Sequence, residues 1–369
     1  MHPQYPEPDE FTQQALAALL QRWRSTRQIF RPRFPCGATN SITDVAGVTV
    51  GHSTLAAGDV QTGVTAIVPP GDNLYQQPLP CGVAVLNGFA KPMGLIQVME
   101  LGQLQTPVLL SNTFATGALF NAMIKRSCHQ FPQIGRPDAT INPVILECND
   151  FWLNDIQAMA VSEDDALTAL DGATNTFARG SVGAGRGMSS FGLKGGIGTA
   201  SRWCEELNAT LGVLVLANFG TLSELTLDGV RAGDAIADVL SKIAPVISPQ
   251  TAPPIDAGSV IIIMACDRHL NSRQLGRIAK RAGAGLGRLG SYWGHGSGDI
   301  ALAFSTQRDG VTLTDDKLEP LLALAADATE HAVIDAMLSA ETVCGFDGHF
   351  RLGLSDVLDN LANLKGNLS

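Results

Sequence analysis

From Asn40 onward, short runs of β-branched and leucine residues alternate with longer stretches in which apolar residues recur every three or four positions. Val45–Val50, Val64–Val68, Val83–Leu86, Val108–Leu110, Val144–Leu146, Leu211–Leu216, Val260–Cys266 and Ile300–Phe304 read as strands. Several are continuous rather than alternating, which is the pattern of strands buried on both faces. Helical spacing covers 93–101, 114–126, 152–170, 228–244, 271–289, 317–340 and 354–364. Strands alternating with helices predict a layered α/β body. No internal repeat stands out. Ahead of the body, residues 9–30 carry Leu16, Leu19, Leu20 and Trp23 at helical spacing and stop at Pro32 and Pro35. The pattern divides the chain into an N-terminal helical extension (1–39), packed on the body or on a neighbouring subunit, and a single α/β domain (40–369).

One segment breaks the alternation. SPQTAPPIDAG (248–258) has three prolines and a closing glycine and suits neither helix nor sheet. It reads as an exposed linker, and the most apolar strand of the chain begins directly after it. Ser259 is the first residue of that strand, preceded by Gly258. A core strand holds a serine rigidly. Glycine puts no Cβ beside its own carbonyl, and it tolerates backbone angles that strain the bond. The chemistry this placement allows is attack of the Ser259 hydroxyl on the Gly258 carbonyl, giving an ester that water hydrolyses. The chain would then be divided into 1–258 and 259–369, and Ser259 would carry a free α-amine of pKa about 7.7–8.0. Such an amine serves as general base for its own hydroxyl. By itself, Gly-Ser before a strand far more often marks a serine that ends a turn.

Further residues bear on that choice. His295-Gly296-Ser297-Gly298-Asp299 precedes the strand Ile300–Phe304. A hydroxyl and a carboxylate two residues apart share a side in extended chain, where they can orient the Ser259 amine and relay its proton. A tight turn capped by Asp299 is the alternative. Asn218 closes the strand Leu211–Leu216, and its amide can donate to an oxyanion, although Asn before Phe-Gly is also a turn signal. Glu147 ends another apolar strand close to Trp152. It can take a substrate ammonium, or it can pair with an arginine.

Composition narrows the partners. The chain has 369 residues, 45% hydrophobic and 16% charged, with a net charge of −10. That balance suits a globular protein, and the negative net charge argues against nucleic acid as a partner. The basic stripe Arg268, Arg273, Arg277, Lys280, Arg281 and Arg288 reads as a solvated helix face. The seven cysteines form no Cys-x-x-Cys and no His-Glu-x-x-His occurs, so no metal and no cofactor is expected. Scattered, odd-numbered thiols suit a cytoplasmic protein, and Cys148 and Cys266 lie in apolar runs as packing residues. The start MHPQYPEPDE lacks the basic and apolar regions of a secretory signal, and Val260–Ala265 is too short to span a membrane. Gly285-Leu286-Gly287-Arg288-Leu289-Gly290 matches a dinucleotide fingerprint but ends a helix instead of opening one. Gly180–Gly198 has no Walker lysine pattern and reads as a pair of site-lining loops, and no G-x-S-x-G elbow is present.

Taken together, NSITDVAGVTVGH (40–52), QTGVTAIVP (61–69), LNGFAKPMGL (86–95), ECNDFWLND (147–155), GSVGAGRGMSSFGLKGGIGTASR (180–202), LANFG (216–220), AGSVII (257–262) and GSYWGHGSGDIALAFST (290–306) resemble the DmpA family of L-aminopeptidase/D-esterases and β-peptidyl aminopeptidases. The resemblance runs from about Asn40 to Gly353. It implies a four-layer α/β/β/α sandwich, self-cleavage before serine, and a homo-oligomer, a tetramer of processed protomers. It also implies a small peptide, amide or ester substrate with a free amine. By this match Ser259 is the nucleophile, Ser297 and Asp299 assist it, and Asn218 lines the oxyanion site. The chain departs from the family at Trp152, where relatives commonly have tyrosine, and at His295, where they tend to have asparagine. Ornithine acetyltransferases share the expected fold but cleave before threonine. An acyltransferase is therefore the rival reading, and Ser259 with the GSGD segment favours hydrolysis.

Overall fold

The computed structural model describes residues 10–243, 258–311 and 313–366. In chain order the elements are α1 (Glu10–Thr26), β1 (Thr49–Ala57), β2 (Val60–Val68), β3 (Leu79–Gly88), α2 (Leu95–Leu101), β4 (Gln103–Leu104), β5 (Val108–Asn112), α3 (Thr116–Gln130), β6 (Val144–Cys148) and α4 (Glu163–Asp171). There follow the two-residue strands β7 (Ser189–Ser190) and β8 (Leu193–Lys194), then β9 (Gly196–Cys204), β10 (Ala209–Asn218), the hairpin β11 (Thr226–Leu227) and β12 (Val230–Arg231), and α5 (Gly233–Ile243). The last part holds β13 (Ser259–Cys266), α6 (Ser272–Lys280), α7 (Ala282–Arg288), β14 (Gly298–Ser305), α8 (Glu319–Ser339), the hairpin β15 (Val343–Cys344) and β16 (Phe350–Arg351), and α9 (Leu354–Gly366).

Two sheets carry the architecture. One has four strands in the order β1-β2-β5-β6, the other six in the order β4-β3-β14-β13-β10-β9. Their facing surfaces enclose one apolar layer, with Val50, Leu110 and Leu146 on one side and Leu214, Ile261 and Leu302 on the other. Helices α3 and α4 cover the outer face of the four-stranded sheet through Leu119, Met123 and Leu170. Helices α6, α7 and α8 cover the outer face of the six-stranded sheet through Leu275, Leu286 and Val333. The result is the four-layer α/β/β/α sandwich.

Strand β13 shows why its sequence is apolar throughout. Val260, Ile262, Met264 and Cys266 enter the layer under the helices, whereas Ile261, Ile263 and Ala265 enter the layer between the sheets. All eight of its residues are buried, at a gain of about 1.5–3 kcal/mol for each large side chain. Helix α1 lays Leu16, Leu19, Leu20 and Trp23 into the same helix-side layer. It is tied down by the Arg22–Asp228 ion pair at 2.7 Å and by the Trp23 indole N–H, which donates to Asp359 at 2.8 Å.

Several sequence-based expectations shift. The strand expected at Val45–Val50 starts only at Thr49 and runs to Ala57, because Ser41 and Asp44 form a reciprocal cap that turns Ile42–Asp44 into a 3-10 helix. The helix expected over 152–170 is α4 alone, begun by the Ser162–Asp165 capping box. That over 228–244 begins at Gly233, since Asp228 and Gly229 take positive φ (50° and 81°) in the turn of the β11–β12 hairpin. The stretch 271–289 breaks at Arg281 into α6 and α7. The glycine-rich 180–198 region, read as loops only, leads into β9, an edge strand under α8. A Cβ on Gly198 would lie 2.0 Å from the Ala332 carbonyl oxygen, so the glycine permits that close packing. The linker 248–257 lies outside the described residues. Among the described residues no helix is long and apolar enough to cross a membrane.

Candidate active site

Three strand ends meet around Ser259. Strand β13 runs antiparallel to β10, with Ser259 opposite Asn218, and parallel to β14, with Ser259 beside Gly298. Directly opposed residues share a sheet face. Ser259 and Asn218 continue the series Ile261, Ile263 and Leu214, Leu216, so both belong to the face that looks at the second sheet.

The Ser259 hydroxyl donates to the Gly258 carbonyl oxygen at 2.7 Å. The Gly298 backbone N–H lies 3.2 Å from that same oxygen and 3.3 Å from the Ser259 Oγ. The Gly258 carbonyl therefore has a serine hydroxyl beside it and a backbone donor on its oxygen. The reason for glycine at 258 is space rather than conformation. Its φ is not positive, but a Cβ there would sit 2.5 Å from the Asn218 carbonyl oxygen and 2.6 Å from the Phe219 Cα.

The Asn218 carboxamide has a defined orientation. The backbone N–H of Ser189 donates to its Oδ1 at 2.8 Å, and its Nδ2 donates to the Asn149 carbonyl at 2.9 Å. An N–H requires an oxygen and a carbonyl requires a donor, so the flipped amide is excluded. One Nδ2 hydrogen is left over.

Ser297 and Asp299 come together as their spacing predicts, the hydroxyl donating to Oδ1 at 2.7 Å, with both residues buried. Gly298, between them, supplies the N–H directed at Ser259. The segment is stitched to β3 by Asn87, whose Nδ2 donates to the carbonyls of Gly294 (2.7 Å) and Ser297 (2.6 Å). His295 is exposed beside Phe89.

Glu147 is buried at the end of β6 but does not meet an arginine. Its Oε1 accepts from the Lys91 backbone N–H at 2.7 Å and its Oε2 from the Thr113 hydroxyl. Trp152 sits in a small cluster with Leu153 and Val343, stacked on His349 at 4.0 Å with Arg351 over its ring. Burial lowers the Arg351 pKa to about 10. The indole N–H of Trp152 is buried and has no hydrogen-bond partner.

Two buried ionisable residues on the neighbouring loops escape sequence reasoning. Asp150 follows Asn149 and accepts from Asn154 Nδ2 at 3.0 Å, and burial raises its pKa to about 7. Lys194 is fully buried, with Nζ donating to the carbonyls of Gly185, Met188 and Gly195 at 2.7–2.9 Å. The backbone donors Gly298 and Ser189 were equally hidden, because a main-chain N–H leaves no mark on residue identity. Among the described residues no cluster of His, Cys, Asp and Glu is arranged to hold a metal. Cys148 and Cys266 are buried packing thiols.

The model of the family described as Peptidase family S58 matches residues 40–351. The β-peptidyl aminopeptidase BapA of Sphingosinicella microcystinivorans is 36% identical over 342 residues, covering 85% of this chain and 85% of its own. Among solved structures, a Burkholderia sp. β-aminopeptidase superposes with a TM-score of 0.78 at 34% identity, over 90% of this chain and 96% of its own. The L-aminopeptidase D-Ala-esterase/amidase of Ochrobactrum anthropi, described as a prototype for serine aminopeptidases and a variant of the Ntn hydrolase fold, gives 0.79 at 31% identity, over 92% and 97%.

Proposed function

Since the chain belongs to peptidase family S58 and is a hydrolase of the aminopeptidase kind, we propose that it cuts itself between Gly258 and Ser259 and then works through the freed amino-terminal serine. The observation that carries this reading is the Ser259 hydroxyl at 2.7 Å from the Gly258 carbonyl oxygen, with the Gly298 N–H on that same oxygen. In the first step Ser259 Oγ attacks the Gly258 carbonyl carbon, and Gly298 takes the developing oxyanion. Collapse passes the hydroxyl proton to the Ser259 nitrogen, breaks the C–N bond and leaves an ester with a free α-amine, and water then hydrolyses the ester. Gly258 then ends one piece and the α-amine of Ser259 begins the other.

In turnover that amine accepts the hydroxyl proton as Oγ attacks the substrate acyl carbon. The remaining Nδ2 hydrogen of Asn218 stabilises the oxyanion. The Ser297–Asp299 pair keeps the amine oriented and relays its proton. Glu147 takes the substrate's ammonium, since each of its oxygens holds one partner and retains a second lone-pair direction. Trp152 walls the substrate side. The substrates are small peptides, amides or esters with a free amine, in keeping with relatives named as β-peptidyl aminopeptidase, β-aminopeptidase and L-aminopeptidase D-Ala-esterase/amidase. No cofactor is required. The processed protomers assemble as a homo-oligomer, a tetramer by family resemblance, and work in the cytoplasm without nucleic acid or membrane partners.

A panel of α- and β-aminoacyl p-nitroanilides, run with and without glutamate or ornithine as acyl acceptor, tests the reaction class. Hydrolysis that needs no acceptor is expected, and it should be lost after selective acetylation of the Ser259 amine. Acyl transfer to ornithine in place of hydrolysis, or full activity after verified acetylation, would contradict the reading.

A further inference from the structure

The Asn218 carboxamide depends on two loops that hold its ends, and the loop on the Ser189 side has an unusual anchor. Ser189–Lys194 is a tight hairpin, closed by Phe191 and Gly192 at φ 51° and 73°. It lies along the end of β10, where the Phe191 N–H and the Ser190 hydroxyl both donate to the Phe219 carbonyl, at 2.8 and 3.1 Å. Its first N–H, that of Ser189, is the one directed at Asn218 Oδ1. Beneath the hairpin the Lys194 side chain is fully buried and reaches the carbonyls of Gly185 (2.8 Å), Met188 (2.9 Å) and Gly195 (2.7 Å). Gly195 N–H returns to the Met188 carbonyl at 3.0 Å, closing the base of the loop.

Burial moves the Lys194 pKa well below the ordinary lysine value. The geometry nevertheless calls for the ammonium, since three carbonyl acceptors need three N–H donors and a neutral amine has two. The charges of Glu341 and Asp150 also favour the protonated form. The Nζ hydrogen bonds go to the backbone oxygens at 185, 188 and 195, which bracket Ser189.

We propose that Lys194 is a positioning residue for catalysis: its buried side chain fixes the 185–195 loop so that the Ser189 N–H holds the Asn218 carboxamide with a hydrogen of Nδ2 turned toward Ser259. This rests on the reading of Asn218 as oxyanion donor. Lys194 touches neither substrate nor nucleophile and acts through one side chain.

A double-mutant cycle separates this role from a merely structural one, because residues acting through one another give non-additive losses. Lys194→Gln keeps two donors on a shorter arm, and Lys194→Arg keeps the charge. Each is combined with Asn218→Ala, with rates counted per free Ser259 amino terminus and thermal unfolding followed separately. Asn218→Ala is expected to cost about 10²–10³ in kcat with KM little changed. Lys194→Gln should lose at least tenfold in kcat, Lys194→Arg less, and the Asn218→Ala/Lys194→Gln double variant should run at the rate of Asn218→Ala alone. Multiplying losses overturn the proposal and leave the oxyanion reading standing. Wild-type rates in Asn218→Ala overturn that reading and the proposal with it. Failure of both Lys194 variants to fold assigns the lysine to stability alone and also overturns it.

Discussion

At the scale of single residues, the account turns on groups whose chemistry is set by what surrounds them. Asp299 is fully buried and accepts the Ser297 hydroxyl at 2.7 Å, immediately beside the glycine that contacts Ser259. Asp299→Asn should lower turnover by about 10²–10⁴, the range for a positioned acid–base group, while thermal unfolding moves far less. A folded variant at wild-type rate reduces Asp299 to a turn cap. Asp150 gives a prediction of another kind. Burial raises its pKa from 3.8 to about 7. Between those values the folded chain keeps a proton that the unfolded chain has released, so this residue makes stability fall as pH rises through the window and level off above it. Asp150→Asn keeps an acceptor for Asn154 and removes the charge. Its melting temperature should gain on wild type progressively from pH 4 to pH 8, and a constant offset across that range contradicts the assignment.

At the scale of elements, the chemistry depends on how closely β13 enters against β10. Gly258→Ala would push a Cβ into the backbone at Asn218 and Phe219, where 2.5 and 2.6 Å leave no room. Cleavage of this variant, followed on a denaturing gel, should be slowed at least tenfold, and stability should fall by about 1–3 kcal/mol, as for other overpacked positions. Cleavage at the wild-type rate shows that the fit is not required. The strands were the most legible part of the sequence. Runs such as Val260–Cys266 are apolar because both faces are covered, and that leaves a composition no loop would have. Strand β9 was hidden because its glycines and small polar residues serve close packing under α8 instead of hydrophobic patterning. The segment after Trp152 was misread as helix because the cap that starts α4 lies ten residues later, at Ser162. Within the candidate site, the gathering of Ser259, Asn218, Ser297 and Asp299 was legible from side-chain type and position at strand ends. The main-chain donors of Gly298 and Ser189 and the burial of Lys194 were not, since they exist only once the chain has folded back on itself.

At the scale of the whole molecule, the two proposed pieces are interleaved. Residues 259–366 contribute β13 and β14 to the centre of the six-stranded sheet, between β3 and β10 of the first piece. Helix α1, near the start of the chain, is bonded to Asp359 on α9, near its end, through Trp23 and Arg27. Cutting one peptide bond ahead of β13 removes none of these contacts. The apolar strands shared across the six-stranded sheet are therefore expected to hold the proposed pieces together. The most direct test of the central claim is intact mass with amino-terminal sequencing of the purified protein after ageing, set against Ser259→Ala. Wild type is predicted to resolve under denaturing conditions into 1–258 and 259–369, the second beginning at Ser259, while the two co-migrate under native conditions and Ser259→Ala stays a single folded, inactive chain. Wild type that remains one chain and is fully active would contradict the account.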